Sequence, residues 1–519
     1  MKPTGLTGRI TQHAYATPDA IAVLDDRGTL TYAELADRIA TTASGLHEAG
    51  LTAGDTVLFA VRPGRDALVL GLAVMAVGAT VIVADPGAGP ELDAARGQLV
   101  AAQLAPPSWL AAESLLYSLA ANRIGRRLLR RHGLHLPALS DLGLHHMYTG
   151  PRLPWLPPGA VRFSSLTTNS PASAAHAAAD DTRPALIVFT SGTTARPRAV
   201  VHSQSTLLTG ADLLAEALEL PAAMQAGPVI AHSEQLMIAF AFLTAGATWS
   251  AAPLPVRPQR FAQDLRRRSA THTFGTPAAI AQLLDTDALP DTLKTVLLGA
   301  APVPPPILRR LHTALPHAQI KVVYGATEML PIAVVDAREK LNHADGGDLA
   351  GHPLPGVSAR LNAHDELLVQ GPHLAISYLG DGPIGELNTG DAARIAPDGR
   401  IVLLGRTKDM LIRGSFNLYP GLYEPTVAAL PGIAEAAFVG VPDPQTADEA
   451  VVLAVVPDGS AGEPELLRRL RRELPALIDH AAQPDQIVCL PSVPRRGRTD
   501  KPDRELLRTQ IAALRGPAR

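Results

Sequence analysis

Between Leu186 and Ser203 the chain reads LIVFTSGTTARPRAVVHS, and this run sets the strongest limit on what it can fold into. Ile187-Val188-Phe189 is apolar and β-branched, the signature of a buried strand. It breaks into Thr190-Ser191-Gly192-Thr193-Thr194, a hydroxyl-rich loop around one glycine. Backbone N–H groups and hydroxyls presented together suit polyphosphate oxygens. The loop is not of the GxxxxGK[ST] type. An ordinary turn is the plain alternative for such a loop taken alone.

A strand feeding a loop of this kind implies an α/β fold, and the rest of the chain agrees. Tyr32 to Leu46 has a helical apolar period, residues 50–55 form a turn, and Asp55 to Phe59 reads as a strand. Ala67 to Ala84 carries no charge and nearly reaches membrane-spanning length, but Gly71 and Gly78 interrupt it and Asp66 and Asp85 flank it. A buried helix, a turn near Gly78 and a buried strand Thr80–Val83 are therefore expected. Ser114 to Leu136 reads as one helix carrying Arg123, Arg126, Arg127, Arg130 and Arg131, best taken as a solvated basic face. Ala434 to Val441 and Ala450 to Val456 read as strands, and Glu463 to Leu474 as a charged amphipathic helix. Residues 406–519 thus form a plausible compact second domain after a large first one, 1–405.

At 519 residues more than one domain is expected. A net charge of −3 gives no reason to expect a nucleic-acid partner. The single cysteine, Cys489, excludes an intrachain disulfide and a cysteine-based metal site. The first residues have no apolar signal region, so a cytoplasmic location is the default expectation.

Further motifs lie downstream. Tyr324-Gly325-Ala326-Thr327-Glu328 places a glycine turn and a carboxylate at the end of a strand, where ligands of α/β sheets bind and where Mg²⁺ can be held against phosphates. Asn388-Thr389-Gly390-Asp391 suits a carboxylate that accepts two ribose hydroxyl bonds, although an Asx turn would look the same. Then come Leu297 to Pro302 (LLGAAP), Gly405 to Asp409 (GRTKD), Ile412 to Glu424 (IRGSFNLYPGLYE) and Gly497 to Lys501 (GRTDK).

Taken together and in order, these motifs resemble the adenylate-forming superfamily of acyl-CoA synthetases, adenylation domains and luciferases. The resemblance covers most of the chain. It implies a large N-terminal domain of two αβαβα sheets plus a distorted β-barrel, with a small mobile α+β C-terminal domain. It implies ATP and Mg²⁺ as cofactors, a small carboxylic acid as substrate, and CoA, a carrier thiol or an amine as acceptor. Thr190, Ser191, Gly192, Thr193, Thr194 and Arg198 would form the phosphate loop. Gly299 and Ala300 would lie beside the adenine, Tyr324 would pack on it, and Thr327 would contact the α-phosphate. Glu328 would hold Mg²⁺, Asp391 the ribose, and Arg406 the nucleotide. Lys408 would be the hinge, and Lys501 the catalytic lysine bridging carboxylate and α-phosphate. His232, Gly325 and Met329 would line the acid pocket, with Met237, Phe240 and Phe242 in the segment after His232 making it apolar.

The chain also departs from the pattern. Where the family reads TGxPKG, it has Thr194-Ala195-Arg196-Pro197-Arg198-Ala199. Two glycines are alanines and the lysine is an arginine, a planar fork in place of a point charge. Alanine costs on the order of 1 kcal/mol wherever the glycine needs positive φ. Met329-Leu330-Pro331, Asp85-Pro86-Gly87 and the proline-rich stretch Tyr148 to Val161 look like the OleC-type β-lactone synthetases, whereas Gly405 to Glu424 and GRTDK look like ordinary acyl-CoA synthetases. Three readings follow: an acid ligase with an external acceptor, a β-lactone synthetase, and a nucleotide-binding protein without turnover. Glu328, Asp391, Arg406 and Lys501 favour catalysis.

Overall fold

The computed structural model describes residues 5–83, 108–131, 139–166, 181–189, 198–286, 289–343, 346–413, 416–442, 449–478, 482–496 and 501–515. Two large mixed sheets dominate. The first runs, edge to edge, through Ser377–Tyr378, Ala199–Ser203, Pro184–Phe189, Thr80–Val83, Thr56–Ala60, Trp109–Glu113, His145–Thr149 and Val161–Arg162. From Pro184–Phe189 to Val161–Arg162 the pairs are parallel, and the two strands beyond Pro184–Phe189 are antiparallel. The second runs through Met329–Asp336, Gln319–Ala326, Thr295–Leu298, His272–Gly275, Ile230–Ser233, Thr248–Ala251, Ile21–Asp25 and Gly28–Thr31. It too is parallel inside and antiparallel at both edges.

The sequence explains how helices come to cover these sheets. Thr31 and Glu34 form a reciprocal capping box that starts the helix Tyr32–Glu48. The uncharged stretch resolves as expected. The helix Arg65–Val77 ends at Gly78, whose φ of +84° supplies a left-handed cap, and Thr80–Val83 follows as a strand. The helix Leu236–Ala245 is apolar on nearly all sides and lies inside, again closed by a left-handed glycine, Gly246. One core joins Val57, Phe59, Val81 and Met147 of the first sheet to Val23, Ala231, Trp249 and Val323 of the second through these helices. Tyr32 is fully buried there and its hydroxyl donates to the carbonyls of Leu243 and Ala247. Among the described residues no helix is long and apolar enough to cross a membrane.

The expected long basic helix is two helices. Ser114–Ala121 stops at Asn122, which is extended, and Asn122 Oδ1 accepts the Gly125 N–H at 2.7 Å to start Arg123–Arg131. The local cap overrides the continuing apolar period.

Where a distorted barrel is expected, the described residues form a five-stranded antiparallel sheet. Its order is Asp348–Gly351, Ile401–Arg406, Leu387–Ile395, Glu366–Gln370, Ser358–Leu361. Beyond Arg406, Ile433–Pro442 and Glu449–Pro457 pair antiparallel and Gln486–Cys489 adds in parallel, with Glu463–Leu477 and Arg504–Arg515 as helices. The buried clusters built on this sheet draw on residues from Leu411 to Ile511, and none of them includes a residue before Leu411.

Candidate active site

The two motif strands lie side by side in the second sheet. Thr295–Leu298 pairs parallel with Gln319–Ala326, Leu298 opposite Val322, so Gly299 and Tyr324 leave the same sheet end. A Cβ on Gly299 would sit 2.6 Å from Val323 Cγ1, which is why glycine stands there. Ala300 follows at φ +66°, in the left-handed region that favours glycine. At Gly325 a Cβ would sit 2.8 Å from Leu330 Cδ1 and 3.0 Å from the Met329 carbonyl.

Tyr324, Asp391 and Arg406 come together although they are far apart in sequence. The Tyr324 hydroxyl donates to Asp391 Oδ2 at 2.6 Å, and Arg406 Nε lies 2.9 Å from Asp391 Oδ1. Arg406 also donates to the Thr389 carbonyl at 2.8 Å, while the Asp391 N–H donates to Thr389 Oγ1 at 3.1 Å. Strand pairing sets this geometry, because Asp391 and Arg406 are direct partners in the five-stranded sheet. Burial, reinforced by the Asp391 charge, holds the Tyr324 hydroxyl well above its ordinary pKa, so it stays a donor.

A second cluster surrounds Glu328. The Tyr378 hydroxyl donates to Glu328 Oε1 at 2.8 Å. The Arg198 guanidinium lies 3.3 Å above the centre of the Tyr378 ring and bonds Asp381 at 3.1 Å. The turn's backbone is pinned as well: Ala375 N–H donates to the Glu328 carbonyl at 2.8 Å, and His202 Nε2 lies 2.8 Å from the Thr327 carbonyl. Thr327 itself is exposed. Burial lowers the His202 pKa, keeping its ring neutral. Burial, then the Glu328 charge, raises that of the Tyr378 hydroxyl. Tyr378 and His202 carry no motif of their own in the sequence. Tyr378 sits in a strand of only two residues, too short to show a period.

The phosphate-loop residues Thr190, Ser191, Gly192, Thr193 and Thr194 lie outside the described residues, as do Ala195 and the Asp85-Pro86-Gly87 turn. Their stems are placed. Phe189 pairs with Ala199 across an antiparallel hairpin, so the loop leaves the carboxyl end of Pro184–Phe189. Ala199 is buried in its strand and has no positive φ, so alanine carries no strain there. Lys408 falls in the short turn Thr407–Asp409, and Lys501 in a strand paired with Arg495–Arg496, but their side chains lie outside the described residues.

Two of the residues expected at the acid pocket, His232 and Met329, are fully buried. His232 is fully buried, with Nδ1 2.9 Å from Ser250 Oγ and its ring 4.5 Å from that of Phe261. Burial pushes its pKa down to about 4. Met329 is buried among Ile332, Leu367 and Val369. Phe240 and Phe242 belong to the core between the large sheets, with Met237 partly buried against it. Tyr324 and Ala326 pack against the same cluster as Met329.

Residues 10–379 match the AMP-binding enzyme family, and residues 423–501 match the AMP-binding enzyme C-terminal domain. The chain belongs to the AMP-binding enzyme family. As a member it is an AMP-forming acid ligase by class. It is 29% identical to a salicyl-AMP ligase / salicyl-S-ArCP synthetase of Mycobacterium tuberculosis, over 96% of this chain and 89% of that one. It is also 29% identical to a feruloyl-CoA synthase of an Amycolatopsis species, over 91% and 93%. An olefin beta-lactone synthetase of Stenotrophomonas maltophilia is 25% identical over 92% and 93%. The fold matches that of an amide bond synthetase from Marinactinospora thermotolerans with a TM-score of 0.77, 24% identity, and 98% and 99% coverage.

Proposed function

We propose that this AMP-binding enzyme condenses ATP with a small, largely apolar carboxylic acid, releases pyrophosphate, and passes the acyl group of the resulting adenylate to CoA, a carrier thiol or an amine. The Tyr324–Asp391–Arg406 network carries this reading. Asp391 Oδ2 accepts from the Tyr324 hydroxyl and Oδ1 lies 2.9 Å from Arg406 Nε, which fixes the orientation of the carboxylate that would accept the ribose hydroxyls. Tyr324 would offer its ring to the adenine, with Gly299 and Ala300 at its side. The names of the relatives support an acid substrate and put aryl acids among the candidates.

Glu328 fits a Mg²⁺ that is held chiefly by phosphate oxygens. Mg²⁺ bound to a nucleotide commonly takes one or two protein carboxylates, with phosphate oxygens and water supplying the rest. Glu328 Oε1 is fixed by Tyr378. The ion would neutralise charge on the departing pyrophosphate. The chain's own groups do the rest. The hydroxyls at Thr190, Ser191, Thr193 and Thr194 and the Gly192 backbone would cradle the outer phosphates. Thr327 would bind the α-phosphate. Lys501 would hold the carboxylate in line with the α-phosphorus, where attack joins the acid oxygen to phosphorus and the pyrophosphate oxygen leaves. We take 1–405 and 406–519 as the two working units, with Lys408 as the hinge that withdraws Lys501 for the second half-reaction. The test is AMP release and hydroxamate trapping with fatty, β-hydroxy and aryl acids. AMP and hydroxamate appearing together with one class support the reading. A β-lactone formed from a β-hydroxy acid without external acceptor would replace its acceptor step.

A further inference from the structure

The arginine at position 198 has a partner that the sequence pattern does not announce. Its guanidinium carbon lies over the Tyr378 ring, 3.3 Å from the ring centre, and the hydroxyl of that same ring reaches Glu328 at 2.8 Å. Tyr378 therefore contacts both Arg198, just after the loop, and the carboxylate of the downstream turn. Its backbone is fixed too. Tyr378 pairs with Val200 and Ser377 with Val201, on the strand that leaves the loop. That strand also carries His202, which meets the Thr327 carbonyl at 2.8 Å.

We infer that Tyr378 is a positioning residue: its hydroxyl sets the rotamer of Glu328 for Mg²⁺, and its ring is the platform that lets arginine serve where the family uses lysine. This rests on the reading of Glu328 as the Mg²⁺ carboxylate. A planar guanidinium stacks on an aromatic face, whereas an ammonium needs no platform. A hydroxyl donating to a metal-binding carboxylate fixes the orientation of its other oxygen, and removing such a partner typically lowers metal affinity about 10- to 100-fold. Tyr378 thus links the loop's cation to the metal, so that the arginine and the carboxylate move together.

The experiment measures equilibrium ATP binding, with saturating Mg²⁺ and with EDTA, for the whole chain and for Tyr378→Phe, Tyr378→Leu, Arg198→Lys and the double variant Tyr378→Leu/Arg198→Lys. Tyr378→Phe keeps the ring and loses only the hydroxyl. It should weaken MgATP about tenfold, leave metal-free ATP unchanged, and raise the KM for Mg²⁺ in pyrophosphate exchange without lowering kcat at saturating metal. Arg198→Lys should weaken MgATP severalfold in the wild-type chain and add nothing to Tyr378→Leu. Unchanged MgATP binding in Tyr378→Phe overturns the inference, as does an equal loss with and without Mg²⁺, the mark of a merely structural role. If the unaltered chain binds ATP equally with and without Mg²⁺, the Glu328 reading itself fails, and that result is separable because it needs no variant.

Discussion

The proposed nucleoside side and the proposed phosphate side of the site are built in contrasting ways. On the nucleoside side, Tyr324, Asp391 and Arg406 keep the family pattern, and direct strand pairing places two of them opposite each other. On the phosphate side the pattern is broken at Ala195, Arg198 and Ala199, and contacts between separate elements hold the groups: Arg198 on Tyr378, Tyr378 on Glu328, His202 on Thr327. A site whose geometry comes from ladder register tolerates little change of residue. One assembled from side-chain contacts can exchange lysine for arginine if a neighbour supplies a matching surface. The nucleoside side should therefore govern binding with or without metal, and the phosphate side should govern metal-dependent steps.

The largest effect is expected where neither side can compensate. Lys501→Ala should lower adenylate formation about 10²- to 10³-fold while leaving ATP affinity nearly intact, measured by exchange rate against equilibrium binding. Turnover at the normal rate would remove Lys501 from the chemistry. Glu328→Gln keeps the shape and loses the charge. It should reduce the exchange rate about 10- to 100-fold and leave metal-free ATP binding unchanged, and a matching loss in EDTA would erase the contrast. Asp391→Ala strands the Tyr324 hydroxyl and Arg406 and removes the ribose acceptor, so ATP should bind about 10- to 30-fold more weakly whether or not Mg²⁺ is present. A loss seen only with Mg²⁺ would reverse the assignment of the two sides. The smallest effect belongs to the backbone. Ala300→Gly relieves a φ of +66° and should raise stability by about 0.5 kcal/mol, read as a small rise in unfolding midpoint with activity retained.

How far the sequence could be read follows the same division. Elements with a long, unbroken period were legible: the helix from Tyr32, the helix–turn–strand at Gly78, and the two strands after Ile433. Motif residues that strand pairing places opposite one another were legible as well, because Asp391 and Arg406 each carry a local signature. The break at Asn122 was hidden because the apolar period runs through it, and only the side-chain cap reveals the stop. His232 was expected at the acid pocket from its position in the family resemblance, and its side chain is fully buried. Its ring lies against Ser250 and Phe261, contacts between strands and a helix that leave no local signature. Tyr378 was invisible because its role depends on a contact between two sheets and on a two-residue edge strand. Contacts of that kind leave no spacing in the sequence to count.

The most direct test of the account is pyrophosphate–ATP exchange that depends on added acid, run with Mg²⁺ across fatty, β-hydroxy and aryl acids. The account predicts exchange with one acid class, none without acid, and about 10²- to 10³-fold less with Lys501→Ala. ATP binding with no exchange for any acid would contradict it, because a Tyr324–Asp391–Arg406 clasp built to hold the nucleotide would then serve no adenylation.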